Sequence, residues 1–331
     1  MPKCRRGSRT YRGVSVIGAA VAALLATALV QPPAARAAAP TAASEELSEG
    51  QKALAEAQES GSRVEVTGQR SERTTVFANP DGYTFTLQES SVPVRVSKPG
   101  GGWEKPDATL EKRVDGSIAP KAAAPQIVFS SGGGKDPLAR IASQGRSIEL
   151  SWPGSLPEPE LDGASAVYAN VLPDVDLRVT ATVESFQHVL VVKTPEAAAG
   201  EKLKELTFGL KTTGLEVQEG ASGSLAAVDP NGRTVFKAPP ARMWNSAGKE
   251  LARPSGPQAA RAAADEAAPS DPSDPFESAP SGSGVEPGQG DQVATMEVEV
   301  GEESLSIVPD AELLADQDTS VFPLFIDPSV T

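Results

Sequence analysis

Prolines and glycines are distributed along almost the whole chain, and they limit the length of any regular element that it can form. The 331 residues include 29 prolines and 30 glycines. Both residue types interrupt helices and strands, because proline lacks a backbone donor and glycine loses the most conformational freedom on folding. The sequence therefore predicts many short elements joined by turns, and it argues against a fold built on long helices.

The stretches between these breakers alternate apolar and polar residues, which is the pattern of half-buried β-strands. The longest runs from Val175 to Glu184, and Phe186 to Lys193 turns back against it. Shorter strands are predicted at residues 74–78, 83–88, 93–96, 126–130, 147–152, 166–171, 206–210, 225–228, 233–236, 293–300, 304–308 and 321–326. So many short antiparallel strands predict a mainly β fold with an antiparallel β-sandwich-like domain.

Two four-residue segments predict tight hairpin turns between neighbouring strands. They are Asn79-Pro80-Asp81-Gly82 and Asp229-Pro230-Asn231-Gly232. Proline at the second position and glycine at the fourth favour a type I turn. In the strand that follows the first turn, Tyr83, Phe85 and Leu87 share one face, so we expect that face to be buried.

The N-terminus has the three-part order of a secretion signal. A basic stretch precedes an uncharged apolar run, Val14–Val30, and the small residues Ala35 and Ala37 follow it. This order predicts a signal peptide over residues 1–37, cleaved before Ala38, and therefore a secreted, extracellular or cell-surface protein. The alternative is a retained membrane anchor, because the 17-residue run is close to the shortest that spans a bilayer. Its high content of Ala, Gly and Thr favours cleavage.

Cleavage would change the chemistry of the chain that remains. Residues 1–37 hold the only cysteine, Cys4, together with six basic residues and no acidic residue, so the formal net charge would fall from −14 to −20. The mature chain would contain no disulfide. An acidic surface repels nucleic acid and anionic lipid, so we expect no nucleic-acid partner and membrane contact only through an uncleaved signal.

Composition divides the mature chain into four parts. Residues 38–62 predict a tether with a short helix, and residues 63–245 predict the antiparallel β domain. Residues 246–292 are almost entirely Ala, Pro, Ser, Gly and acidic residues, which predicts a disordered linker because little apolar surface can be buried. The strands within residues 293–331 either complete the β domain or lead into a downstream module absent from this sequence.

The short helix of the tether has recognisable ends. Ser44 is the expected N-cap and Gly61 the expected C-cap. Leu47, Leu54 and Ala57 fall on one face, which predicts a thin apolar stripe that packs lightly.

Few residues could support catalysis. His188 is the only histidine and lies in a predicted strand, so a multi-histidine metal site is excluded and a structural role is favoured. Asp174 and Asp176 are candidate paired carboxylates of a hydrolase, although a position in the turn Leu172-Pro173-Asp174 is favoured for Asp174. The same carboxylates offer oxygen ligands to calcium, although no dedicated calcium loop occurs. The sequence predicts no enzyme and no cofactor, with calcium left open.

The three tryptophans are candidate glycan contacts. Trp103 and Trp152 lie where predicted strands meet turns, and Trp244 is the third. Aromatic rings can form a stacking platform for sugars, and packing in the core is the alternative.

Eight short motifs follow one another in a characteristic order. They are Val-Phe-Ala-Asn-Pro-Asp-Gly (76–82), Pro-Val-Arg-Val (93–96), Gly-Gly-Trp (101–103), Asp-Ala-Thr-Leu (107–110), Leu-Pro-Asp-Val-Asp-Leu-Arg-Val (172–179), His-Val-Leu-Val-Val-Lys (188–193), Met-Trp-Asn-Ser (243–246) and Phe-Pro-Leu-Phe-Ile-Asp-Pro-Ser (322–329). This order resembles the N-terminal region of large secreted actinobacterial surface proteins. In those proteins the region precedes LamG-like jelly-roll, DNRLRE or RHS/YD-repeat modules.

The resemblance covers about residues 45–331 and implies an extracellular, non-catalytic, β-rich module. It supplies no catalytic residues. It implies that the partners are downstream modules of the same polypeptide or components of the cell envelope. The sequence thus predicts a secreted structural or scaffolding module. An extracellular glycan-binding, lectin-like module is the alternative, and a secreted hydrolase is a third hypothesis.

Overall fold

The computed structural model describes residues 47–134, 136–220, 223–250 and 286–328. The predicted signal peptide, with its cleavage residues Ala35, Ala37 and Ala38, lies outside the described residues. Most of the predicted linker also lies outside them.

The described residues are mainly β, as the alternating pattern predicted. Three short α-helices accompany the strands: α1 (Glu49–Ser60), α2 (Pro195–Ala198) and α3 (Ala311–Leu314). The strands are β1 (Val64–Glu65), β2 (Thr74–Ala78), β3 (Phe85–Glu89), β4 (Val96–Ser97), β5 (Trp103–Glu104), β6 (Asp107–Lys112), β7 (Ile118–Ala122), β8 (Gln126–Phe129), β9 (Ala139–Ser143), β10 (Arg146–Ser151), β11 (Glu160–Asp162), β12 (Ser165–Leu172), β13 (Val175–Ala181), β14 (Phe186–Val192), β15 (Leu206–Thr213), β16 (Glu216–Glu219), β17 (Leu225–Val228), β18 (Thr234–Ala238), β19 (Arg242–Trp244), β20 (Val293–Thr295), β21 (Glu297–Val300), β22 (Ser304–Val308) and β23 (Leu324–Asp327).

Two large antiparallel sheets form the sandwich-like body. One has the strand order β21-β22-β15-β10-β9-β8-β7-β6, and the other has the order β11-β12-β13-β14-β23-β19-β20. Two three-stranded sheets, β1-β2-β3 and β16-β17-β18, and the pair β4-β5 accompany them. The prediction of an antiparallel β-sandwich-like fold is confirmed.

The core lies between the two large sheets and follows from strict alternation in β13 and β14. Val175, Leu177, Val179 and Ala181 of β13 are all buried, as the sequence predicted. Each pairs across the ladder with a buried residue of β14, so eight side chains form one inward face. The Phe129 ring of the opposite sheet meets Phe186 edge-on at 5.5 Å between ring centroids. Burying each large apolar side chain contributes about 2 kcal/mol.

Residues 293–328 supply strands to both large sheets. β23 lies between β14 and β19, where Ile326 pairs with Leu190 on one side and Met243 on the other. The single strand predicted at 293–300 is wrong, because the chain passes from one sheet to the other at buried Met296. β20 therefore belongs to the seven-stranded sheet and β21 to the eight-stranded sheet.

The flanks of the predicted linker lie side by side. β19 and β20 are antiparallel partners, with Met243 opposite Ala294. Beyond them, Asn245 Nδ2 donates to Gln292 Oε1 at 3.1 Å, and the Gly248 amide donates to an Asp291 carboxylate oxygen at 2.8 Å. Residues 251–285 therefore connect two neighbouring strands of one sheet.

The short helix begins later than the sequence predicted. Ser48, rather than Ser44, is the N-cap of α1, because its hydroxyl accepts from the Gln51 amide while the Gln51 side chain accepts from the Ser48 amide. A capping box at Ser44 would place Leu47 at its third position, and a leucine side chain cannot accept a hydrogen bond from the N-cap amide. The predicted C-cap is confirmed: Gly61 adopts a left-handed conformation with φ of 67°.

The first predicted hairpin is confirmed, but the predicted burial of its second strand is wrong. β2 and β3 pair with Ala78 opposite Phe85. Tyr83, Phe85 and Leu87 share a face and are nevertheless 78%, 45% and 62% exposed. The reason is that α1 packs mainly against β1 and β2, so the small cluster of alanine and valine beneath it leaves the edge strand β3 outside. The strand predicted at 93–96 is also wrong, since only β4 at Val96–Ser97 forms there.

The second predicted hairpin, between β17 and β18, is confirmed and is tied to the body by its turn. One Asp229 carboxylate oxygen accepts from the amides of Asn231 and Arg233, both at 3.0 Å. The other oxygen accepts from the Arg146 guanidinium of β10 at 2.9 Å. The side chain of Asp229 is only 1% exposed, so this carboxylate joins the small sheet to the large one.

Candidate functional site

A cleft of about 610 Å³ lies against the eight-stranded sheet, on the face opposite to the core. Its floor is formed by β8, β9, β10 and β15. Glu72 and Arg73 before β2, Glu184 in the β13–β14 turn and Phe236 of β18 also line it. Segments far apart in sequence therefore surround one concavity.

Strand register brings a row of small and polar side chains across the floor. Gln126 pairs with Ala142, Ala142 with Ser147, and Ser147 with Thr213. Residues directly opposite each other in a ladder point to the same face, so these four side chains stand side by side on β8, β9, β10 and β15. Three inter-strand spacings give the row a length of about 14 Å.

A second row, two residues along the strands, carries charge. Arg140 pairs with Glu149, which in turn pairs with Lys211. The Arg140 Nε donates to Glu149 Oε1 at 3.2 Å, and Lys211 Nζ lies 3.7 Å from Glu149 Oε2. Arg140 and Glu149 both line the cleft, so the floor presents a fixed donor beside a fixed acceptor.

The rim adds a second ion pair and one unpaired carboxylate. The Arg73 guanidinium donates to Glu184, and it also donates to the Ser91 carbonyl. The neighbouring Glu72 is half-buried, and within the described residues its carboxylate has no ion-pair or hydrogen-bond partner. A half-buried carboxylate without a partner is open to a donor supplied by a ligand.

Several floor groups also have hydrogen-bonding capacity that the fold leaves unused. Among the described residues, the side chains of Gln126, Ser147 and Thr213 have no hydrogen-bond partner, although Ser147 is only 3% exposed. Phe236 is half-buried and offers an apolar surface at the edge. The cleft thus combines donors, acceptors and one aromatic ring, and it brings together residues that the sequence did not single out, apart from Glu184.

His188 lies in the core and outside the cleft. Its side chain is 1% exposed, and its ring meets Phe208 edge-on at 5.4 Å and Phe186 at 6.2 Å. Neither ring nitrogen has a hydrogen-bond partner among the described residues. Burial lowers the pKa of His188 from 6.5 to about 4, so the ring is neutral near pH 7. The structural role favoured from the sequence fits this position.

The predicted carboxylate pair takes part in local structure. Asp174 adopts a left-handed backbone conformation in the turn between β12 and β13, the position favoured from the sequence. Asp176 Oδ1 accepts from the Asn170 amide at 2.8 Å and lies 2.6 Å from Lys193 Nζ. Within the described ranges, no group of three or more His, Cys, Asp or Glu residues is placed to hold a metal ion. The described residues therefore offer no such ligand set for the calcium ion that the sequence left open.

The three tryptophans do not form a common platform. Trp152 is 9% exposed and packs edge-on against Phe208, with ring centroids 5.7 Å apart. Trp244 is 1% exposed and stacks on Phe325 at 5.4 Å. Only Trp103, in the two-stranded sheet, keeps a half-exposed side chain. Trp152 and Trp244 thus pack in the core, the alternative given from the sequence, and glycan contact stays a prediction that rests on Trp103.

The helices of the described part are too short or too polar to cross a bilayer. Comparison with known proteins gives no relative: no family model matches the chain, and no curated protein or solved structure matches it significantly.

Proposed function

We propose that this chain is a secreted, non-catalytic structural module of a cell-surface or extracellular protein. The observation that carries the proposal is that the catalytic candidates named from the sequence, His188 and Asp176, are committed to the fold. His188 is enclosed by aromatic rings in the core, and Asp176 is held by Lys193 and the Asn170 amide.

Export is part of the same proposal and rests on the N-terminal sequence. The predicted signal carries the only cysteine, so the exported chain would depend on its apolar core for stability. The body is suited to this, because one buried cluster extends through both large sheets and includes Leu177, Phe208 and Ile326. The partners proposed from the resemblance are downstream modules of the same polypeptide or cell-envelope components.

Fractionation of an actinobacterial culture that expresses the full chain tests the proposal. We expect the protein in the medium or the cell-wall fraction, with Ala38 as its first residue by N-terminal mass spectrometry. A protein found only in the cytoplasm with residues 1–37 attached would overturn the export proposal. A protein found in the membrane fraction with an intact N-terminus would support the anchor alternative.

The hydrolase hypothesis is tested with Asp176→Asn. If Asp176 is structural, the purified wild type hydrolyses no glycoside or ester in a chromogenic panel, and the variant differs only in thermal midpoint. Hydrolysis by the wild type that Asp176→Asn abolishes, with folding retained by circular dichroism, would refute the non-catalytic assignment.

A further inference from the structure

We propose that the cleft over β8, β9, β10 and β15 is a binding site for a neutral or weakly cationic saccharide. This site is separate from the three tryptophans considered in the sequence. The proposal does not depend on where the protein acts or on its scaffolding role.

The size and lining of the cleft define the class of ligand. Its volume of about 610 Å³ lies within the range of small-ligand sites, which is about 300–1,000 Å³. Three of the four positions in the row across the floor are unpartnered polar side chains, Gln126, Ser147 and Thr213, and Ala142 is the fourth. A purely apolar ligand would strip water from these groups without replacing its hydrogen bonds, so it is disfavoured.

The charges in the cleft disfavour a strongly anionic ligand. Two arginines and three glutamates line it, and each arginine is paired with one glutamate. Among the lining residues the unpaired Glu72 leaves one negative charge in excess, which Lys211 beside Glu149 offsets in part, and the whole chain has a net charge of −14. Adjacent hydroxyl groups both donate and accept, so a sugar can bond to fixed carboxylates and guanidinium groups without introducing charge. A free amino group on the sugar would add an attraction to Glu72.

The pairing of the floor strands disfavours an extended peptide. β9 and β10 are hydrogen-bonded on both sides along their length, so the backbone groups at the centre of the floor are already used. The outer strands are open over part of their outer sides, since β8 pairs with β7 only at Phe129 and β15 pairs with β22 only over residues 206–209. A peptide that binds by strand addition needs an open sheet edge. Recognition in the cleft therefore depends on side chains, as saccharide recognition does. Phe236 supplies an apolar surface for the C–H face of a sugar ring.

The test is titration calorimetry of the full-length exported chain with six kinds of probe. They are chitotriose, cellotriose, maltotriose, glucosamine oligomers, a sulfated disaccharide of the heparin type and an unstructured eight-residue peptide. We expect at least one neutral trisaccharide to bind, with no binding of the sulfated disaccharide or the peptide. Failure of all three neutral trisaccharides and of glucosamine oligomers, or preferential binding of the peptide or the sulfated disaccharide, would overturn the proposal.

Variants connect binding to the cleft. Ser147→Trp fills the floor and should abolish binding. Thr207→Trp is the control, because Thr207 lies on the same face of β15 as Thr213 but outside the cleft, so binding should be unchanged. Because Ser147 is buried, Glu72→Gln and Gln126→Ala serve as milder variants, each expected to weaken binding about tenfold. Glu111→Gln on β6 is the matched control for Glu72→Gln. Equal affinity in wild type, Glu72→Gln and Gln126→Ala would refute the assignment.

Discussion

The buried histidine makes the stability of the fold depend on pH in a direction that can be worked out. Burial lowers the pKa of His188 from 6.5 to about 4. Between pH 6.5 and 4, His188 is therefore protonated in the unfolded chain but neutral in the folded chain. The free energy of unfolding falls as the pH drops through this range, because protonation favours the unfolded state. A pKa difference of this size lowers the free energy of unfolding by about 3 kcal/mol below pH 4, and by about 2 kcal/mol at pH 5. At pH 7.5 the ring is neutral in both states and the effect vanishes.

Substitution of His188 by leucine removes this dependence. Leucine has a similar volume and no polar atoms, so it also relieves the two ring nitrogens that lack partners among the described residues. We expect His188→Leu to be more stable than wild type by about 1 kcal/mol at pH 7.5. At this pH the gain comes only from removing the two unsatisfied ring nitrogens, because the ring is neutral in both states. At pH 5 the difference should grow by about 2 kcal/mol, because the proton uptake of the unfolded state is also lost.

Urea unfolding at the two pH values measures this difference. Fluorescence of the buried Trp152 and Trp244 reports the transition. Carboxylates that titrate over the same range are common to both proteins and cancel in the comparison. Leu190→Met, on the same inward face of β14, is the control and should keep the pH dependence of wild type. If His188→Leu and wild type lose stability in parallel between pH 7.5 and 5, the reasoning is wrong.

Three other substitutions, the last with an exposed control, test separate parts of the fold. Asp229→Asn should lower the thermal midpoint at pH 7, and the gap to wild type should close in acid. The amides of Arg233 and Asn231, with the Arg146 guanidinium, hold the pKa of the Asp229 carboxyl below its ordinary value, so its stabilisation is lost as the pH falls through that lowered value. Ser48→Ala removes one half of the capping box and should cost about 1 kcal/mol, seen as faster amide exchange in α1 alone. Leu177→Ala should cost about 2–5 kcal/mol in urea unfolding, whereas the exposed Leu87→Ala should change stability by less than about 0.5 kcal/mol; equal effects would contradict the assigned burial.

Alternation in the sequence was sufficient to identify β13 and β14 and their inward face. In β13, Val175, Leu177 and Val179 occupy every second position and all are buried. β7 was missed because its sequence, Ile118–Ala122, contains Pro120 and three small or charged residues, so no apolar alternation marks it. Tertiary pairing with β6 forms the strand in spite of this weak local preference.

Alternation did not determine which shared faces would be covered. Tyr83, Phe85 and Leu87 are spaced like the core residues of β13, yet they are exposed because only a short helix covers their sheet. The period of a strand shows that side chains share a face, but burial depends on what packs against that face. The same limit applies to Trp152, whose partner Phe208 is 56 residues away in the sequence.

The proposed saccharide site could not be predicted from the sequence for a related reason. Gln126, Ser147 and Thr213 are ordinary polar positions of three strands, with nothing in their neighbours to mark them as a group. Only the ladder pairings align them, and a slip of one residue in β10 would send Ser147 into the core and Ile148 into the cleft. The inward packing of Ile148 therefore fixes the polar row on the other side of the sheet. In this way the burial that stabilises the fold also sets the chemistry of the cleft.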